Sequence, residues 1–195
     1  MRTIIFIGPQ GSGKGTQVDM LAKSLGALDQ LVTKIQTGDI FRSLSLRKNY
    51  AASKIDQCIR AGNLMPDAIT SGLVIDKLIQ EVSLNNTILF DGYPRNKAQL
   101  NTLRQVLNFF DRDEIYVIHL ETSEEIVIKR MKDRGRNDDT DESIRARLAT
   151  YSKETIPLLE NLRDLENVTV YDINGEGSVN DVHNMIVKSL GYEDK

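Results

Sequence analysis

At 195 residues, 40% hydrophobic and 27% charged, the chain is long enough for one globular domain that buries roughly 70% of its unfolded surface without a disulfide or metal. The single cysteine, Cys58, excludes an internal disulfide, and no run of eighteen apolar residues exists to cross a bilayer, so the expectation is a protein of the reducing cytoplasm. A net charge of −3 excludes an overall basic field that would draw the chain to nucleic acid or an anionic membrane.

Short β-rich apolar runs alternate with longer segments of helical period, which predicts an α/β fold: a five-stranded parallel sheet covered by helices on both faces. The first strand, Thr3 to Ile7, runs into Gly8-Pro9-Gln10-Gly11-Ser12-Gly13-Lys14-Gly15-Thr16 and then a helix starting near Lys14. Glycines let successive backbone N–H groups turn into one concavity, and the helix N-terminus adds partial positive charge, so the loop is suited to phosphate. The spacing is that of the P-loop of a three-layer nucleotide-binding fold, with Lys14 able to reach the outer phosphates. Gly15 stands where most P-loops place a Ser or Thr that ligates Mg²⁺, so the ion would be held mainly by phosphates and water.

The second strand, Lys34 to Gln36, is followed by Thr37-Gly38-Asp39-Ile40-Phe41-Arg42. The third, Thr87 to Phe90, is followed by Asp91-Gly92-Tyr93-Pro94-Arg95, with Gln99 four residues on. Each places an arginine just past a strand end, where open α/β sheets bind ligands. Beyond the fourth strand, Glu114 to Leu120, a capping box at Thr122 and Glu125 predicts a helix start. Arg130, Arg134, Arg136 and Arg147 follow, mixed with Asp138 and Asp139. Arg130 and Arg134 share a helical face, whereas Arg145 and Arg147 point about 200° apart, so one alone can face a cleft. So many guanidinium forks in one cleft require anions to meet them. Arg60, Arg104, Arg112 and Arg163 read instead as solvated or paired with a carboxylate. Pro157 predicts a kink in a helical stretch from about Thr140 to Arg163, the fifth strand is Val168 to Tyr171, and Ser178 with Asp181 forms a weaker cap. His119 and His183 lie outside any motif and take no catalytic role; with one cysteine they cannot complete a zinc site.

Taken together, the glycine loop, Thr37-Gly38-Asp39, Asp91-Gly92-Tyr93-Pro94-Arg95, Gly135-Arg136-x-Asp138-Asp139 and Arg147-Leu148-x-x-Tyr151 resemble the adenylate kinase family of nucleoside monophosphate kinases, almost end to end. The resemblance implies reversible phosphoryl transfer from MgATP to a monophosphate, two ADP being formed when AMP is the acceptor, by a single domain spanning 1–195. It implies a triphosphate loop at Gly11, Ser12, Gly13, Lys14, Gly15 and Thr16, with Arg130 against the ATP base and Gly177 beside it. The implied catalytic cations are Lys14, Arg95, Arg134, Arg136 and Arg147, and Asp91 would hold Mg²⁺ through water. Thr37, Arg42, Met65, Gly92, Arg95, Gln99, Arg136 and Arg147 would bind the acceptor, within a flap from about 36 to 65. Thr37 and Gln99 resemble AMP-accepting members, while Pro94-Arg95-Asn96 also occurs in relatives that accept UMP or CMP, so both acceptor classes stay open.

Two departures stand out. Short-form relatives carry several lid residues between the arginines matched by Arg134 and Arg136, whereas here Gly135 stands alone, leaving a vestigial lid at about 134–139. The zinc-bearing lid of some bacterial relatives is missing together with its cysteines, so no zinc is expected. The implied partners are ATP, AMP and ADP, for a monomer that binds neither nucleic acid nor membrane. A reading from another class is a P-loop switch that signals without useful turnover; Gly15 argues against it, since such switches use a Ser or Thr there.

Overall fold

The computed structural model describes residues 2–192. In chain order the elements are β1 (Thr3–Ile7), α1 (Lys14–Gly26), β2 (Val32–Gln36), α2 (Thr37–Ser45), α3 (Tyr50–Arg60), α4 (Asp67–Glu81), β3 (Thr87–Asp91), α5 (Lys97–Phe109), β4 (Ile115–Glu121), α6 (Glu124–Arg134), α7 (Asp141–Thr150), a π-helical turn (Tyr151–Thr155), α8 (Ile156–Arg163), β5 (Val168–Asn174) and α9 (Val179–Ser189). The strands form one parallel sheet in the order β2-β3-β1-β4-β5.

Buried strands here are apolar on both faces, and their alternation divides the core in two. Ile5 and Ile7 of β1, with Ile35, Phe90 and Val117, pack beneath Leu78 of α4, Leu103 of α5 and Leu162 of α8. Ile4 and Phe6, with Leu89, Ile118 and Ile173, meet Leu21 of α1 and Ile186 of α9 on the other face. Strand order reverses at β1, whose two neighbours, β3 and β4, lead to opposite edges. The crevice at that switch point therefore opens beside the loops that follow β1, β3 and β4.

Several local expectations are corrected. Pairing with β3 starts β2 at Val32 instead of Lys34, and pairing with β4 carries β5 to Asn174 instead of Tyr171. The capping box at Thr122 does not form: Ser123 takes the N-cap position with no side-chain hydrogen bond to the first turn, and its own N–H donates to Glu176 Oε1 at 2.9 Å. The entrance of α6 is thus tied to the β5–α9 loop. Ser178 does cap α9, its Oγ accepting from Asp181 N–H. The break at Pro157 takes the form of the π turn Tyr151–Thr155, and Pro157 falls in the first turn of α8. A proline cannot donate, and its ring crowds the carbonyl four residues back; widening the helix by one residue relieves both. Arg112 is not solvated, and among the described residues it has no ion-pair partner. It is buried and donates to Ser83 O and Asn86 Oδ1 at 2.9 and 2.6 Å.

Candidate active site

Two adjoining cavities occupy the crevice. The larger, about 500 Å³, is lined by Gly11 to Thr16, Asp91, Arg130, Arg134, Arg136 and Gly177. The smaller is lined by Thr37, Met65 and Gln99. Arg42, Arg95 and Arg147 border both, together with Gln10, Gly38, Gly62, Leu64 and Gly92, so three guanidinium groups stand in the wall between the cavities. Every residue that the motifs nominate lies on one cavity or the other.

In the loop after β1, Lys14 folds back so that Nζ donates to Gly8 O and Pro9 O, each at 2.8 Å. The first-turn N–H groups of α1 have no intrahelical acceptor and remain as anion donors. Burial lowers the Lys14 ammonium from 10.5 to about 8, against the pull of Asp91 and with help from Arg95 and Arg134. Arg130 lies against the β5–α9 turn, Nη1 donating to Gly175 O at 2.9 Å, and so faces the same cavity from the far side.

The turn after β3 is locked to the start of α2: Thr37 Oγ1 donates to Gly92 O at 3.0 Å, and Arg95 Nε donates to the same carbonyl at 3.0 Å. Gly92 has φ 79°, and a Cβ there would lie 2.6 Å from Thr37 Oγ1 and 2.9 Å from an Arg95 Nη. No other residue fits without moving both. Arg42 pairs with Asp39 at 2.5 Å.

The α6–α7 junction is a clamp of charges. Gly135, in the left-handed conformation, ends α6 directly after Arg134. Asp139 takes both prongs of Arg134, at 3.0 and 2.8 Å, and Arg147 Nη1 at 2.9 Å; Arg147 Nη2 meets Asp138 at 2.5 Å and Ile59 O at 3.1 Å. Burial pushes the Asp139 carboxyl up, but the bonds and charges of the two arginines outweigh it and hold the group below the ordinary carboxylate range. Arg145 is exposed, so Arg147 is the member of that pair that faces the cleft. Six arginines and Lys14 line the larger cavity against Asp19, Asp39 and Asp91. Burial, then the like charges of Arg42 and Arg134, lowers the Arg136 guanidinium, and burial with Arg147 and Arg42 lowers that of Arg95, opposed by Asp91. A cavity whose cations depress one another lacks negative charge, and a polyphosphate would supply it.

Sequence reasoning missed the bracing of the π turn. Thr155 Oγ1 donates to Arg95 O at 3.0 Å, and Tyr151 OH lies 3.1 Å from His119 Nε2, whose Nδ1 is 2.8 Å from Asp172. Burial pushes the Tyr151 phenol up to about 12, so it keeps its proton, and because a carboxylate only accepts, His119 Nδ1–H is the donor to Asp172. His119 thus belongs to the scaffold behind Arg147. His183 is buried against α1, its Nε2 lying 3.0 Å from Ser24 Oγ. Nothing in the spacing of these residues signals that they meet.

Comparison with known proteins agrees with the geometry. The profile of the family described as "Adenylate kinase" matches residues 6–166. An adenylate kinase of Corynebacterium aurimucosum is 36% identical over 187 residues, 96% of this chain and 98% of the relative. One of Bifidobacterium longum is 38% identical over 191 residues, 96% and 98% of the two chains, and one of Oenococcus oeni is 38% identical over 179 residues, 91% and 93%. With the phosphate loop, the arginine wall and the paired cavities in place, the chain belongs to the adenylate kinase family.

Proposed function

We propose that this chain catalyses reversible phosphoryl transfer from MgATP to AMP, giving two ADP. The observation that carries the reading is the shared wall: Arg42, Arg95 and Arg147 border both cavities, so one set of forks faces two nucleotides whose phosphates meet between them. The triphosphate takes the loop from Gly11 to Thr16, with its base between Arg130 and Gly177; the acceptor takes the cavity of Thr37, Met65 and Gln99, within the flap 36–65.

Phosphoryl transfer between phosphate oxygens needs alignment and charge neutralisation more than a covalent nucleophile, and the acceptor phosphate is itself a competent nucleophile. Lys14 exchanges its two carbonyl contacts for the moving phosphoryl group. Arg134 and Arg147 turn from Asp139 toward phosphate oxygens, joined by Arg136, while Arg42 and Arg95 hold the acceptor phosphate. The residues fit a Mg²⁺ ion: no donor reaches the Asp91 carboxylate among the described hydrogen bonds, and its Oδ2 would lie 3.3 Å from a Cβ at Gly15, at the mouth of the loop. Asp91 would hold the ion through water, and the ion would neutralise phosphate charge. The lack of a side chain at Gly15 keeps the space between Asp91 and the phosphates open.

The turn 134–139 serves as a minimal lid, without zinc. We place the enzyme in the cytoplasm as a monomer; no helix among the described residues is long and apolar enough to cross a membrane. Coupled assay of ADP formation across AMP, CMP, UMP and GMP tests the proposal, and thermal shift with two adenosines joined by a phosphate chain tests the two-site geometry. Preference for a pyrimidine acceptor, or no greater shift with the joined analogue than with ATP, would overturn it.

A further inference from the structure

Gln99 does not hang free in the acceptor cavity. It is buried, its Nε2 donates to Asp67 Oδ1 at 2.8 Å, and its Oε1 accepts from Arg95 N–H at 2.8 Å. Asn96, which caps α5 by accepting from Gln99 N–H at 2.9 Å, also gives its amide to Asp67, at 3.0 and 3.2 Å from the two carboxylate oxygens. Asp67 is the first residue of α4, directly after the flap, so one carboxylate ties the flap's exit to the start of α5.

The chemistry of these partners leaves no freedom. An ionised carboxylate only accepts, and a backbone N–H only donates. Rotating the Gln99 amide by 180° would set its oxygen against Asp67 and its NH₂ against the Arg95 N–H, losing two hydrogen bonds and creating two repulsions in a buried place. The amide has one proton and one lone-pair site left, the edge available to a base in the cavity that Gln99 lines. That edge matches a base with an amino group beside a bare ring nitrogen, as in adenine. It opposes a 6-oxo purine, whose oxygen and ring N–H present the reverse pattern.

We infer that Asp67 is a positioning residue for acceptor choice: by fixing the orientation of the Gln99 amide it makes the site select amino-purine over oxo-purine monophosphates. The inference rests on the acceptor reading above and deepens it. Asp67 itself need not touch the substrate.

AMP and IMP differ only in that exchange of an amino for an oxo group, so the ratio of their kcat/KM values is the readout. In the Asp67→Asn variant the new amide can accept or donate, and the AMP to IMP ratio is expected to fall by about fivefold or more, the weight of roughly one neutral hydrogen bond. A purely structural role would lower both substrates together and leave the ratio within about twofold, which would overturn the inference. Should the variant fail to fold, calorimetric titration of the wild type decides: the fixed amide requires binding in the order AMP, purine riboside monophosphate, IMP, because IMP adds repulsion where the unsubstituted purine merely loses one bond. IMP binding as tightly as the unsubstituted purine would refute it. Failure of the wild type to form ADP from AMP would sink the proposed activity instead, a result distinct from an unchanged ratio in an active enzyme.

Discussion

Lys14 should destabilise the free protein that depends on it. Its ammonium is lowered from 10.5 to about 8, chiefly by burial, which at about 1.4 kcal/mol for each tenfold change corresponds to about 3 kcal/mol of cost to the folded state at neutral pH. That figure is a ceiling, because the side chain remains partly reachable from the cleft and keeps two carbonyl partners. The sign follows from proton counts. Between pH 8 and 10.5 the unfolded chain holds this proton and the native one has released it, so the cost fades as pH rises. Replacing Lys14 by Met removes the charge and keeps the bulk. The Lys14→Met variant is therefore expected to exceed the wild type in stability at pH 7 by up to about 3 kcal/mol, with the gap shrinking to under about 1 kcal/mol at pH 10. Taking the difference between the two proteins cancels Tyr93 and Tyr151, whose phenols ionise near pH 10 in the unfolded chain and only above it in the native one. Urea unfolding from pH 7 to 10 measures the gap, and ADP formation should meanwhile fall by about 10² or more. A gap that stays constant across that range would show that the lysine is not strained by burial. A variant retaining more than about a tenth of the transfer rate would refute its role.

Asp139→Asn removes the carboxylate that holds Arg134 and Arg147, and should lower the stability of the free protein by about 1–3 kcal/mol; the loss should shrink with the joined bis-adenosine analogue bound, because phosphates take over the forks. Equal losses with and without the analogue in denaturant titrations would contradict it. Gly92→Ala should reduce kcat/KM for AMP by at least about tenfold, since its Cβ meets Thr37 and Arg95 at 2.6 and 2.9 Å; an active variant with unchanged KM would disprove the locked turn. Thr37→Ala frees the Gly92 carbonyl from one of its two donors and should weaken AMP preference relative to CMP and UMP, measured as the ratio of kcat/KM values; no change would leave selection to Gln99 and Asp67. With only Gly135 between Arg134 and Arg136, ATP hydrolysis relative to transfer should exceed that of a longer-lidded relative assayed alongside, and equal leakage would shift the sealing role to the flap 36–65.

What the sequence by itself determined were the features whose chemistry is local. The apolar runs at Thr3 to Ile7 and Thr87 to Phe90 fixed buried strands, the glycine loop fixed a phosphate cradle, and the arginines just past strand ends marked the ligand edge, because strand, turn and helix N-terminus lie within a few residues of one another. Strand ends were read short at Lys34 and Tyr171, since a parallel strand extends as far as its neighbour offers partners and the neighbours are dozens of residues away. Only tertiary structure decided the rest. It brought Glu176 to the Ser123 N–H at the entrance of α6, buried Arg112 against Asn86, and set Tyr151 beside His119. It also joined Asp67 to Gln99, 32 positions apart, and so turned an amide that could face either way into one that faces a single way. A side chain's identity says what it can donate or accept; its orientation is set by buried partners that the fold alone supplies.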